Sequence, residues 1–272
     1  MIIKFRLVLS IILSISTLSS AAIKIMPLGD SLTYDNTHAD GGPEGRPSSK
    51  RTAYRSHLWY MLENENYGAD FVGSVIAGED IIPAFDPENE GHPGYDTYDL
   101  AEETYSYMTT SNPDIVLLHI GTNDHSSNAN GVIDILNEID AYEINSGISV
   151  KVYVALIVDR QLPDHKIVGF NSNLEDIIYQ RILQNDNLVL VDMYHDAQLT
   201  SADYIENTHP NANGYKKMAT VWFNALNTPY TAKLHAYPYS IVSKANIESV
   251  IVNEETQNVI FTCSIPNTGI TF

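Results

Sequence analysis

The sequence predicts an α/β fold in three layers, a mostly parallel five-stranded sheet covered by helices on both faces. Two observations carry this: five short apolar runs spread along the chain, and segments of helical spacing lying between them. A strand buried on both faces reads as a near-continuous apolar run, and parallel neighbours need crossover helices.

The first run, Ile23 to Leu28, is a strand that stops at Gly29. Ala53 to Leu62 places Tyr54, Leu58, Met61 and Leu62 on one helical face. Asp70 to Ile76 reads as the second strand and Leu100 to Met108 as the next helix. Asp114 to Ile120, closed by Gly121, is the third strand; Val132 to Ile144 follows as a helix with Ile133, Leu136, Ile139 and Ile144 roughly in phase. Lys151 to Val158 and Leu188 to Met193 complete the five strands, with a helix around Asn173 to Leu183 between them and a last helix from about Ala212 to Leu226.

The first 22 residues stand apart from this pattern. Lys4 and Arg6 precede a short, mostly apolar run from Leu7 to Ile15, and Ser16 to Ala22 is mostly small and polar. That layout is expected of a secretory signal peptide cut after Ala21 or Ala22, which places the mature protein outside the cell or in a periplasm. The apolar run is too short for a membrane span, so no membrane insertion is expected after cleavage. Residues 23–228 then form one domain. Residues 229–272 read as a linker and a β-rich extension, with strands at Asn246 to Asn253 and Asn258 to Ile265, which is either an appended hairpin or the beginning of a further domain.

The chain has 272 residues, with 34 Asp and Glu against 15 Lys and Arg, a net charge of −19 that deepens once Lys4 and Arg6 are lost. Such a surface repels nucleic acid and anionic headgroups and suits a neutral substrate. Cys263 is the single cysteine, so no intramolecular disulfide can form and the core must supply the stability.

In an open parallel sheet, functional groups sit on loops beyond the strands' carboxyl ends. Ser31 lies there, in Gly29-Asp30-Ser31 just past the first strand. A serine hydroxyl is a poor nucleophile until a base takes its proton, and a lone Ser in such a turn reads equally well as a helix N-cap. His209, in Glu206-Asn207-Thr208-His209-Pro210, lies just before the last helix and can supply that base. A carboxylate must orient the imidazole: Glu206 is the natural candidate and Asp203 its competitor. Acyl transfer also needs N–H donors for the oxyanion, each typically worth ~10²–10³ in turnover. The Ser31 and Gly94 backbone N–H groups and the Asn123 side-chain amide are candidates, the last after the buried strand Asp114 to Ile120.

Ser31, Gly94, Asn123 and His209 resemble, in order and spacing, the four blocks that name the SGNH (GDSL-type) hydrolases, over roughly Ile23 to Leu226. The wider text is similar to the acetyl xylan esterase-type carbohydrate esterases: Ile25-Met26-Pro27-Leu28-Gly29-Asp30-Ser31, Asp70-Phe71-Val72-Gly73-Ser74, Glu90-Gly91-His92-Pro93-Gly94-Tyr95, Leu117 to Asp124, and His209-Pro210-Asn211. The resemblance implies a flavodoxin-like sheet and an esterase that removes small acyl groups, acetyl foremost, from a carbohydrate through an acyl-serine, with no cofactor required. A lysophospholipase, a thioesterase or a polysaccharide O-acetyltransferase of the same fold is the alternative, and a non-catalytic carbohydrate-binding module the more distant one. The family usually has Asp where this chain has Glu206, so Asp203, or a backbone carbonyl, could orient His209 instead.

Three further readings concern the loops. The long polar stretches Tyr34 to Lys50 and Ala77 to Tyr95 are of a length that usually shapes a site. Tyr34, Tyr95 and Tyr98 are placed to stack on sugars, and Asp30 adjoins the nucleophile; Tyr95, Tyr34 and Asp30 are the substrate-binding candidates. Asp86, Glu88 and Glu90 alternate along an oxygen-rich loop that could host a structural Ca²⁺, the alternative being a solvated acidic loop.

Overall fold

A computed structural model describes residues 21–36, 38–41 and 45–227, and the backbone of Asn246–Asn253 and Asn258–Ser264. Residues 1–20, and with them nearly all of the expected signal peptide, lie outside the described residues.

The chain begins with β1 (Ile23–Gly29) and a single helical turn, α1 (Ser31–Tyr34). Then come α2 (Arg55–Asn64), β2 (Ala69–Phe71), β3 (Val75–Ile76), β4 (Glu88–Gly91) and α3 (Thr97–Ser111). β5 (Ile115–His119), α4 (Asn130–Ser146), β6 (Lys151–Ala155), α5 (His165–Leu183), β7 (Leu188–Val191), α6 (Met193–Asp196) and α7 (Ala212–Asn227) complete the domain.

The sheet runs β3-β4-β1-β5-β6-β7, with β2 also on β1. β2 pairs in parallel with the start of β1 (Ile23 to Ala69) and β4 with its end (Gly29 to Gly91), so the two share one edge of β1. Five parallel lanes result, and β3 adds an antiparallel edge to β4. Alternate residues face opposite layers. Met26, Leu28, Val116, Leu118, Val152 and Val154 pack under α3, α4 and α5, while Ile25, Leu117, Tyr153 and Ala155 pack under α2 and α7.

Most element boundaries shift by one to three residues from the sequence expectation, and at three places the difference is larger. The expected strand Asp70 to Ile76 is two strands, because Gly73 passes so close to β4 that a Cβ there would lie 2.1 Å from the Asn89 carbonyl oxygen. β4 lies within the stretch Ala77 to Tyr95 expected as a loop, since its buried residues Asn89 and Glu90 are polar. α5 starts at His165, eight residues before the expected start, where the Asp164 carboxylate accepts from the Lys166 N–H and caps it.

Chain contacts separate a second unit, Tyr230–Phe272, whose described part is the antiparallel pair β8 (Asn246–Asn253) and β9 (Asn258–Ser264). The turn expected between them, residues 254–257, lies outside the described residues.

Candidate active site

Gly29, the last residue of β1, lies so close to β5 that a Cβ there would sit 2.2 Å from the His119 carbonyl oxygen. The chain then turns into α1. Asp30, not Ser31, is the cap of that turn, its carboxylate accepting from the Leu32 N–H at 2.8 Å. Ser31 is left as the first residue of α1, where a backbone N–H has no acceptor within the helix and the hydroxyl is not spent on capping.

The Ser31 hydroxyl instead meets His209, Oγ to Nε2 at 2.9 Å. The other ring nitrogen of His209 is hydrogen-bonded to Glu206 Oε1. The same carboxylate accepts from the His209 and Thr208 backbone N–H groups, both at 3.0 Å. A loop closed on its own carboxylate is how the longer Glu side chain reaches an imidazole three residues on. This network assigns Nδ1–H as donor to Glu206 and Nε2 as acceptor from Ser31. Burial pushes the Glu206 carboxyl up, but the Thr208 N–H and the His209 ring outweigh it, so Glu206 stays ionised below the usual carboxylate range. Burial lowers His209 below its ordinary 6.5, against the pull of Glu206. A neutral imidazole is the form that can take a proton from a serine.

Asp203, the competing orienter, is not part of this relay. It is buried and accepts from Lys217 Nζ at 2.7 Å, from the Thr200 N–H at 2.8 Å and from the Thr200 hydroxyl at 2.9 Å, tying the loop to α7.

The oxyanion candidates gather on the same side. Asn123 Nδ2 donates to the Tyr95 carbonyl at 2.8 Å, which fixes the amide and leaves its second N–H for the cleft that Asn123 lines. Gly94 adopts φ +90, a conformation costly to a residue with a side chain, and a Cβ there would touch no protein atom. Its turn is braced from below. The buried Glu90 accepts from His92 Nε2 and Ser74 Oγ, each at 2.7 Å, and the His92 ring is stacked between Tyr95 and Tyr107.

Ser31, Gly94, Asn123 and His209 line one cleft of about 320 Å³, together with Asn36, His38, Pro93, His125, Arg160 and Thr208. None of the last six is a site candidate in the sequence, although Pro93 and Thr208 stand in the motifs and Asn36 and His38 in the first long loop. His38 lies edge-on to the His209 ring, centroids 5.4 Å apart. Its loop is pinned by Arg46, bidentate on Asp35 at 2.7 and 2.9 Å, and by Arg51 on Asp40 at 2.7 Å. No short motif announces such pairing. Arg160 had a usable signal, as a polar residue just beyond a buried strand.

The substrate candidates fall outside the cleft lining. Asp30 is fully buried, and burial pushes its carboxyl up to about 7 against the Leu32 N–H. The Tyr34 ring lies under the Arg51 guanidinium, and Tyr95 packs on His92. None of the three lines the cleft. Tyr98, exposed, lies with its hydroxyl beside Asn128 and is not in the lining either.

The carboxylates considered for Ca²⁺ do not converge. Asp86 accepts from the Phe71 N–H at 3.0 Å, whereas Glu90 is spent on Ser74 and His92. Among the described residues no three His, Cys, Asp or Glu side chains form a metal-binding group, and no helix is long and apolar enough to cross a membrane.

Against known proteins, no family model matches. The chain is 30% identical over 254 residues to a multidomain esterase of Ruminococcus flavefaciens; the match takes in 80% of this chain but spans only 30% of that relative's length. Among solved structures it is similar to a family 3 carbohydrate esterase of Clostridium thermocellum (29% identity, TM-score 0.61, 75% of this chain and 94% of the other). It is likewise similar to an acetyl esterase crystallised as a serine mutant with acetate ion (25% identity, TM-score 0.61, 75% of this chain and 96% of the other). The sheet and helices of this chain share the fold of these two solved proteins, and these relatives are esterases.

Proposed function

We propose that the chain is a secreted serine esterase that removes small acyl groups, acetyl foremost, from a carbohydrate such as acetylated xylan. The observation that carries this reading is the relay Ser31 Oγ to His209 Nε2 (2.9 Å) and His209 Nδ1 to Glu206, opening on a cleft that Gly94 and Asn123 also line. In the forward step His209 takes the Ser31 proton as Oγ attacks the ester carbonyl. The Ser31 and Gly94 N–H groups and the Asn123 amide hold the oxyanion. His209, as imidazolium stabilised by Glu206, gives the proton to the departing sugar oxygen, which leaves as the hydroxyl, and water then releases the acid from the acyl-serine by the same route. These steps draw on no cofactor.

The cleft supports a short acyl group. At about 320 Å³ it lies at the small end of ligand-binding pockets, which favours a short acyl group over a long chain. Its similarity to carbohydrate esterases favours a sugar as the alcohol. Export rests on the charged, apolar and small-residue layout of the first 22 residues.

The test is acetate release from acetylated xylan beside acetylated non-xylan glycans, with 4-nitrophenyl esters of increasing chain length. Acetyl esters should be preferred, and Ser31→Ala should abolish turnover while the protein still melts cooperatively. Activity that survives Ser31→Ala would discard the mechanism; preference for long chains would discard the substrate.

A further inference from the structure

The loop after β6 carries an arginine that the steps above leave without a role. Arg160 lines the cleft, and its guanidinium reaches in two directions. Nη1 donates to Thr208 Oγ1 at 2.6 Å, and Nη2 donates to the Thr122 carbonyl at 3.0 Å. Thr208 immediately precedes His209, and Thr122 immediately precedes Asn123.

We propose that Arg160 is a positioning residue, a clasp between the loop bearing the general base and the loop bearing the oxyanion amide. The proposal rests on the catalytic reading of Ser31 and His209 given above. Sheet order explains why an arginine at this place can do it. β6 lies between β5 and β7, so a side chain leaving the end of β6 has the Asn123 loop on one side and the chain that follows β7 on the other.

The clasp is itself held. Asp159 Oδ1 accepts from the Arg160 and Asp164 backbone N–H groups at 2.7 and 2.9 Å, and Arg160 Nε lies 3.6 Å from the Asp164 carboxylate. The Gln161 and Leu162 N–H groups donate to Asn207, at 2.8 Å to its carbonyl and 3.0 Å to its side chain, so the arginine's own loop is fastened to the His209 loop. The guanidinium carries that frame across to Thr122. There it fixes the peptide plane from which Asn123 departs, while the Tyr95 carbonyl anchors the other end of the Asn123 side chain. A planar fork can satisfy both acceptors at once, whereas an ammonium is a point charge on a flexible stem.

The experiment is a double-mutant cycle of Arg160→Met and Thr208→Val with 4-nitrophenyl acetate, run below the unfolding midpoint of every variant and with Ser31→Ala as control. Arg160→Met should lower kcat ~10–10²-fold with KM little changed, the loss expected when reacting groups shift by an ångström. Arg160→Lys should recover little of it. The two substitutions should be non-additive, because Thr208→Val already removes one end of the clasp. An unchanged kcat in Arg160→Met, strict additivity, or a loss confined to KM (a direct substrate contact) overturns the clasp while leaving the esterase reading in place. Hydrolysis by the parent that survives Ser31→Ala overturns both.

Discussion

Ser31 and His209 stand 178 residues apart in the chain, and their Oγ and Nε2 atoms lie 2.9 Å apart. The sheet makes that meeting possible. Ser31 leaves the carboxyl end of β1 and His209 follows β7, so both rise from the same edge, where parallel strands deliver their loops. Glu206 reaches His209 locally, since the loop it shares with His209 closes on its own carboxylate.

Glu206 and Asp203 are separable by experiment. Glu206→Gln should lower kcat by up to ~10⁴-fold, as expected when the orienting carboxylate becomes an amide and the wrong tautomer is favoured. Asp203→Asn should leave kcat near the parental value when assayed well below its melting temperature. Steady-state kinetics of the pair decides which carboxylate serves His209.

Asp203 should instead show itself in stability. Burial pushes its carboxyl up, but Lys217, Thr200 and Asn213 outweigh burial and hold it well below the usual range. A depressed folded pKa stabilises above the unfolded value, near ~4, and that gain is lost as pH falls through the folded one. Asp203→Asn should therefore cost ~1.5–3 kcal/mol at neutral pH, with the difference from the parent shrinking in strong acid. Denaturant unfolding at several pH values measures it.

The pH profile of kcat/KM should carry an acid limb set by His209. The imidazole must be neutral to accept the Ser31 proton, so activity falls as pH drops through its pKa. Burial places that pKa below 6.5, so the limb should have its midpoint below 6.5. Glu206 pulls the same pKa upward, and Glu206→Gln should move the limb to still lower pH in its residual activity.

Asn123→Ala should lower kcat ~10²–10³-fold with less effect on KM, because the amide acts on charge that develops only in the transition state. Initial-rate kinetics on 4-nitrophenyl acetate reads the split; a loss in KM alone would show that Asn123 binds substrate without stabilising the oxyanion.

Arg55→Met should destabilise the fold. The guanidinium is fully buried and donates to the carbonyls of Thr33, Arg51, Ala77 and Pro87, binding α1 to the start of α2 and to the second long loop. Leaving these oxygens without a donor should cost ~3–5 kcal/mol, read as a lowered melting temperature.

The sequence by itself determined the layered α/β frame, because burial on two faces forces near-continuous apolar strands such as Ile115–His119 and leaves amphipathic helices between them. It also marked Ser31, Gly94, Asn123 and His209, since a motif at a strand's end is local text. Only the tertiary structure decided the rest. β4 is polar because its Asn89 and Glu90 are satisfied by distant partners, a trade no local pattern records. Asp203 and Glu206 lie three residues apart and are chemically alike; one is consumed by Lys217 and Thr200, the other by His209. Tyr34 and Tyr95 turned away from the cleft, whereas His38 and Arg160 turned into it. Strand periodicity fixes which edge a loop leaves from, but the direction of a side chain on that loop is set by contacts with residues far away in the chain.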